Sequence, residues 1–381
     1  MTKHMYFIAG EPSGDQLGGQ LIEALKRHEK KLKLSGVGGH LMQEQGVNSL
    51  FPISDISVMG LAEILPHIFK IKQRIQETVA DILAQDPDVL VTIDSPGFTL
   101  RVIKALRKKG FKKPVVHYVA PTVWAWKPKR AKKMAGLVDH LLCLLPFEPP
   151  YFEVEGLPTT FVGHSVLNLG IQQAKAAPFY DAFNIQKDRE VIVTLLGSRK
   201  GEILRHAPVF KDVAERLVAR HPKAVFVLPT VPHMQELVEE QVRGWNVETH
   251  LLTDKVHKYQ AYKAASLGLA VSGTVSLELA VSGTPTVVAY KMNPLTYKIL
   301  RQLVSAKYGS LVNLLEDQEI LPEFVQSKCV PEKIYQKALS LLDNANTRKT
   351  QLEGCKKAIA QLKVHEKTPG DLAANTILGL L

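Results

Sequence analysis

Cysteine is nearly missing from this chain of 381 residues: Cys143, Cys329 and Cys355 are the only three, far apart and odd in number. Such usage speaks for a reducing cytosol and against a disulfide framework or a zinc site. Long apolar runs are missing too, because no stretch approaches the roughly 20 residues that a membrane span requires. The opening MTKHMYFIAGEPSGD lacks the extended apolar segment of a secretory signal, and its run 5–9 reads as a first strand. No low-complexity tract occurs. There is no HExxH spacing, no Gly-x-Ser-x-Gly elbow and no Walker lysine loop, so His117, His164, His206, His233 and His257 read mostly as structural. With 45% hydrophobic and 22% charged residues, the composition is that of a folded enzyme and excludes disorder, collagen and coiled coil for the whole chain. The length suggests two domains of roughly 150–200 residues.

Charge is not in short supply. Lys and Arg total 48 against 37 Asp and Glu, a net charge of +11. That balance suits an anionic partner, whether nucleic acid, an anionic membrane surface or a phosphorylated substrate, or else basic residues that only solvate the surface.

Short β-branched apolar runs alternate with longer segments of helical period, the pattern of α/β domains with parallel sheets. Strands are expected near 5–9, 33–37, 88–93, 115–119 and 138–145, and again near 190–196, 224–228, 248–252, 266–271 and 286–290. Helices are expected at 17–30, 60–85 and 99–109, in a long polar segment 331–364, and after the Thr368-Pro369-Gly370 break at 368–381. Two strands run into similar glycine loops, Gly10-Glu11-Pro12-Ser13-Gly14-Asp15 and Gly197-Ser198-Arg199-Lys200-Gly201, and each opens a domain-sized block. The boundary is expected in the polar stretch 165–189. Two such domains face a cleft, with ligands beyond the carboxyl ends of the strands.

The first loop lacks the GxGxxG fingerprint of dinucleotide binding, and Ser13 or Asp15 can cap the helix that follows. Gly197, Ser198 and Arg199 combine a flexible turn, a hydroxyl and a guanidinium at a helix start, which suits a phosphate oxyanion. Ser272, Gly273, Thr274 and Ser276 stand at another helix start, able to hold a diphosphate or simply to cap the helix. Glu278 lies one turn deeper than Thr274, either to accept two hydrogen bonds from the vicinal hydroxyls of a ribose or to sit at the surface. Asp94 ends an apolar strand before Ser95-Pro96-Gly97, either as a general base or as a helix cap. Trp124 and Trp126 precede Lys127–Lys133, five basic residues in seven, a pairing that fits sugar or base stacking or a membrane interface. The stripe Leu61, Ile64, Leu65, Ile68, Phe69 and Ile75 is core-like in spacing, and with Met59 before it and Lys70, Lys72 and Arg74 beside it also suits acyl chains and anionic head groups.

Eight motifs occur in order: Ala9–Asp15, Val58-Met59-Gly60, Pro121–Trp126, Leu144–Glu148, Phe161–His164, Leu196–Arg199, Ser272-Gly273-Thr274 with Leu277-Glu278, and Asn313-Leu314-Leu315. Together they closely resemble the lipid-A-disaccharide synthase family, collinearly from about residue 5 to about residue 330, with a looser tail. Pro12, where the family more usually has alanine, and Lys200 are departures that remove no chemical group.

The resemblance implies an α/β protein of the GT-B glycosyltransferase fold: two Rossmann-like domains facing a cleft, the C-terminal helix crossing back to the first. It implies an acceptor- and lipid-binding domain over 1–168 plus about 365–381, and a UDP-sugar-binding domain over 169–364. The implied reaction condenses UDP-2,3-diacylglucosamine with 2,3-diacylglucosamine 1-phosphate to a β(1→6) tetraacyl disaccharide 1-phosphate and UDP, with inversion, no cofactor and no metal. By the same matching Asp94 is the base and Arg199 the diphosphate partner, with Gly197, Ser198, Ser272, Gly273, Thr274, Ser276, Glu278 and Asn313 on the UDP side. Glu11, Ser13, Met59, Leu61, Ile64, Phe69, Trp124 and Trp126 fall on the acceptor and lipid side. The family implies a cytoplasmic protein, peripheral on the inner face of the inner membrane, monomeric or homodimeric, with no nucleic acid partner. Two rivals are a lipid-independent UDP-sugar enzyme such as a 2-epimerase, and a basic nucleic-acid-binding protein. The second lacks any helix-turn-helix, zinc-finger or RRM signature.

Overall fold

The computed structural model describes residues 2–57, 61–304, 306–364 and 368–381, with the side chains of 61–67, 295, 299 and 300 outside the description. The chain forms two compact units, Met1–Ser165 with Val364–Leu381, and Val166–Lys363.

The first unit carries the strands β1 (Lys3–Ala9), β2 (Leu32–Val37), β3 (Asn48–Ser49), β4 (Val89–Ile93), β5 (Val115–Tyr118), β6 (His140–Cys143) and β7 (Thr159–Phe161). All pair in parallel, in the order β3-β2-β1-β4-β5-β6-β7. Helices cover both faces, so the central strands are apolar on both sides rather than alternating. Tyr6, Ile8, Leu90, Val115 and Leu141 feed one core layer, while Met5, Phe7, Val91, Val116 and Leu142 feed the other. The second unit repeats the plan with β8 (Glu190–Leu195), β9 (Ala224–Pro229), β10 (Thr249–Leu252), β11 (Ala265–Ala270), β12 (Thr286–Tyr290) and β13 (Glu323–Val325), in the order β10-β9-β8-β11-β12-β13. Both sheets therefore reverse strand order between their first and fourth strands in sequence, β1/β4 and β8/β11. In such sheets the loops at that reversal splay apart and leave room for a ligand.

Three helical expectations need correction. The helix after β1 runs Pro12–His28, starting well before Leu17, because Pro12 occupies a first-turn position that needs no N–H donor. Asp15 does not cap it. The buried carboxylate instead accepts the amides of Gly39 (2.8 Å), Leu41 (3.0 Å) and Met42 (3.0 Å), satisfying the start of the helix His40–Glu44. The segment 331–364 is two helices, Pro331–Asp343 and Ala345–Gln361, because Asn344 is extended and its side chain accepts the amides of Asn346 and Thr347. The last helix, Pro369–Leu378, returns to the first unit and packs on Pro12–His28. Asp371 there meets Arg27 at 2.9 Å and His28 at 3.1 Å, and the Thr368 hydroxyl and these two partners hold its carboxyl down at about 2.

Candidate active site

In the second unit the loops leaving β8 and β11 border one cavity of about 450 Å³. Gly197, Ser198 and Arg199 enter from β8, and Ser272, Gly273, Thr274 and Glu278 from β11. The first loop turns back sharply: Gly197 has φ +110°, and a Cβ there would lie 2.6 Å from Glu202 Cβ. Behind it starts the helix Lys200–Arg220, whose first amides and dipole point toward the loop. Glu202 Oε2 accepts the Ser198 amide at 3.1 Å, and Arg199 Nη1 lies 3.7 Å from Glu202 Oε1. The Arg199 side chain is 62% exposed, within reach of a ligand. His206, one turn further on, is locked as a neutral ring: Nδ1 donates to Glu202 O (2.7 Å), and Nε2 accepts the Lys291 amide (2.8 Å). Burial pushes that imidazole down to about 4, which fits its structural reading.

The second loop leads into the helix Val275–Ser282, which Gly283 ends in the left-handed conformation. Glu278 lies in its first turn, with Lys258 Nζ 2.8 Å from Oε2. Tyr262 lines the cavity beside them, and burial together with the Glu278 carboxylate keeps its phenol protonated. Two expected contacts are spent inside the protein. Ser276 is fully buried, and its hydroxyl donates to Gly273 O at 2.8 Å, bracing the turn. Asn313 is also fully buried, donating to Leu321 O (2.7 Å) and Glu323 Oε1 (2.8 Å) and accepting the amides of Ile320 and Leu321. Glu323 in turn accepts the amides of Gly309 and Ser310, and the Ser272 hydroxyl donates to Gly309 O at 2.9 Å. Asn313 thus supports the Ser272 loop through Glu323 rather than facing the cavity.

In the first unit the loops leaving β1 and β4 meet. Ser95 Oγ donates to Glu11 Oε1 at 3.2 Å, and a Cβ at Gly10 would stand 2.5 Å from Ser95 Oγ. Asp94 and Ser95 both have positive φ, +53° and +45°, and so does Val119 after β5 at +81°. A left-handed valine is strained, and such strain gathers at the carboxyl ends of these strands. Asp94 Oδ1 accepts the Ser95 amide at 2.7 Å, while Oδ2 takes no protein hydrogen bond among the described residues. Burial raises the Asp94 carboxyl above its ordinary 3.8 despite that amide. It does not cap the helix Pro96–Lys108 with its side chain; its carbonyl accepts the Thr99 hydroxyl. Ser13 is exposed in the first turn of Pro12–His28. Trp124 Nε1 donates to Glu148 Oε1 at 3.2 Å, and Lys127 Nζ sits 4.1 Å from the centre of the Trp126 ring. Glu148 also accepts the Leu145 amide, and burial pushes its carboxyl up to about 7.

Of the lipid-side residues, Met59 and the side chains of Leu61 and Ile64 lie outside the described residues. Phe69 is 84% exposed on the helix Leu61–Gln85 and borders a hollow of about 420 Å³ with Ile68, Lys72, Ile75 and Arg101. Ile71 and Ile75 pack on the core, whereas Lys70 and Arg74 are tied to Asp55 at 2.5 and 2.6 Å. Among the described residues no helix is long and apolar enough to cross a membrane, and no three His, Cys, Asp or Glu side chains are grouped to share a metal ion.

Residues 5–377 match the family model described as Lipid-A-disaccharide synthetase. The chain belongs to that family. It is 41% identical to the lipid-A-disaccharide synthase of Rhodospirillum centenum, over 99% of this chain and 94% of the relative, and 40% identical to that of Gluconobacter oxydans, over 99% and 90%. Among solved structures it is similar to a UDP co-structure of S. aureus MnaA, with a TM-score of 0.66 at 15% identity, covering 99% of this chain and 95% of the other. The paired Rossmann-like units are the GT-B architecture. Lipid-A-disaccharide synthases are glycosyltransferases that condense the two acylated glucosamine units of lipid A. Sequence reasoning passed over Glu202, Lys258, Tyr262, Glu323 and the role of Glu148. Only Glu202 left a signal, an acid three residues after Arg199 at a helix start.

Proposed function

We propose that the cavity of the second unit binds the UDP moiety of UDP-2,3-diacylglucosamine, and that the first unit binds 2,3-diacylglucosamine 1-phosphate. The observation that carries this is the meeting of two helix starts, Arg199 and Glu278 around one cavity. Arg199 and the amides at those helix starts receive the diphosphate, and Glu278 receives the ribose hydroxyls. UDP named with the similar MnaA structure agrees with this assignment. Thr274, Ser272 and Gly273 shape the turn, with Ser276 and Asn313 in support.

Asp94 takes the proton of the acceptor 6-hydroxyl through Oδ2 as that oxygen attacks the anomeric carbon. The carbon–oxygen bond to the diphosphate breaks on the opposite face, giving inversion, and UDP leaves with the electron pair. Arg199 and the helix dipoles stabilise the charge that develops on it. Glu11 and Ser13 shape the acceptor loop, and Trp124 and Trp126 offer faces to the sugar. The exposed Phe69 and its hollow, with Met59, Leu61 and Ile64 adjacent in sequence, receive acyl chains while Lys72 and Arg101 meet anionic groups. Such a surface holds the enzyme peripherally on an anionic cytoplasmic leaflet.

The test is calorimetric titration of UDP into the full chain. Micromolar binding is expected in the wild type, and Arg199→Ala should weaken it by about 100-fold, the cost of a charged bidentate partner. Unchanged affinity in that variant would remove the cavity from the donor's path.

A further inference from the structure

Glu202 lies in the first turn of the helix Lys200–Arg220 and directs its charge at the groups assigned to the donor diphosphate. Its Oε2 holds the Ser198 amide at 3.1 Å, and its Oε1 stands 3.7 Å from Arg199 Nη1. Only 14% of the side chain is exposed, and it borders the cavity with Arg199. Gly197 permits this approach, since a Cβ there would lie 2.7 Å from Glu202 Oε2. On the same cavity wall the Tyr290 phenol is raised, by burial and then by this carboxylate. An acid in a first helical turn is ordinarily a favourable cap. This one also faces the ground where two phosphates have to sit, and like charges in a partly dry site repel far more than in water.

We propose that Glu202 is the resident anion of the donor site: it holds the Ser198 amide and faces Arg199 while the site is empty, and yields both to the diphosphate. The role rests on the donor-site reading above. Glu202 makes and breaks no bond; it sets how tightly the nucleotide is held and how readily it leaves. The terminal phosphate gains negative charge when the sugar departs, so the carboxylate, still carried on the first helical turn beside the site, repels UDP more strongly than it repels the donor. Turnover is thereby favoured over product retention.

The experiment compares UDP titrations of wild type, Glu202→Gln and Arg199→Ala, together with steady-state kinetics. Glutamine keeps an acceptor oxygen for the Ser198 amide and removes the charge. Glu202→Gln should bind UDP roughly tenfold more tightly, with kcat lowered and product inhibition by UDP strengthened by a similar factor. Equal or weaker UDP binding in a folded Glu202→Gln would overturn the proposal and leave Glu202 as a cap that orients Arg199. Should that variant not fold, Glu202→Asp keeps a charge at the helix start but retracts it, and a smaller tightening is expected. Equal or weaker binding there overturns the proposal as well. If wild type does not bind UDP, or Arg199→Ala leaves binding intact, the donor-site reading falls and this proposal with it. If Arg199→Ala loses affinity and Glu202→Gln gains none, only the present proposal falls.

Discussion

Replacing Asp94 by asparagine isolates the chemistry of one oxygen. The left-handed backbone at φ +53° suits Asn almost as well as Asp, whereas alanine would add strain of its own. The amide oxygen can still accept from the Ser95 N–H, now at 2.7 Å, so the turn after β4 stays closed. What disappears is a group able to hold the acceptor proton. Positioned general bases contribute about 100- to 10,000-fold, or about 3–5 kcal/mol of barrier. Asp94→Asn should therefore lower kcat by that factor. Because burial raises the Asp94 carboxyl, the neutral amide costs the fold nothing, and the melting temperature should hold or rise slightly. The wild-type rate should fall on the acid side as pH drops through a value above 3.8, when the base becomes protonated. That limb should vanish in the variant. Near-normal turnover, or an unchanged acid limb, would refute the role of Asp94.

The donor-side loops and the Glu148 carboxyl give three further expected outcomes. Glu278→Ala should reduce discrimination between UDP and 2′-deoxy-UDP by about tenfold, read by competition binding, since the ribose hydroxyls lose their acceptor. Gly197→Ala should cost about 1–3 kcal/mol in denaturant unfolding, because alanine disfavours φ +110° and its Cβ would press on Glu202. Glu148 titrates at about 7 in the fold against an ordinary 4.5, so its proton is favoured by folding. That stabilisation is fully present below pH 4.5 and is lost as pH rises through about 7. Its loss amounts to about 3 kcal/mol, and Glu148→Gln should flatten that part of the stability–pH curve.

Much of the fold is legible in the sequence because a parallel sheet covered on both faces demands unbroken apolar strands. The runs at β1, β4, β8 and β9 are of that kind, buried along nearly their whole length. The short strands Asn48–Ser49, Thr159–Phe161 and Glu323–Val325 carry no such signal, being two or three half-buried or exposed residues at sheet edges. The loops after β8 and β11 are legible through their glycines, which mark a backbone that must turn sharply. The fate of each polar side chain beside them is not. Ser276 and Asn313 have the right chemistry in the right place, yet the nearest acceptors for their donors are backbone carbonyls and Glu323, and folding satisfies those first. Glu202 and Lys258 show the converse. For Glu202 the sequence carries only the spacing of an acid three residues after Arg199, not the fold-back onto the Ser198 amide, and Lys258 reaches Glu278 from another helix, which no local spacing records.

The proposed reaction transfers a diacylglucosamine from UDP to an acylated sugar phosphate through the chain's own side chains. UDP release in detergent micelles, with donor and acceptor present, with and without EDTA, tests it directly. UDP release is expected to require the acceptor, to be untouched by EDTA, and to match formation of a β(1→6) disaccharide 1-phosphate mole for mole. UDP release without acceptor, loss of the reaction with EDTA, or no release with both substrates present would contradict it.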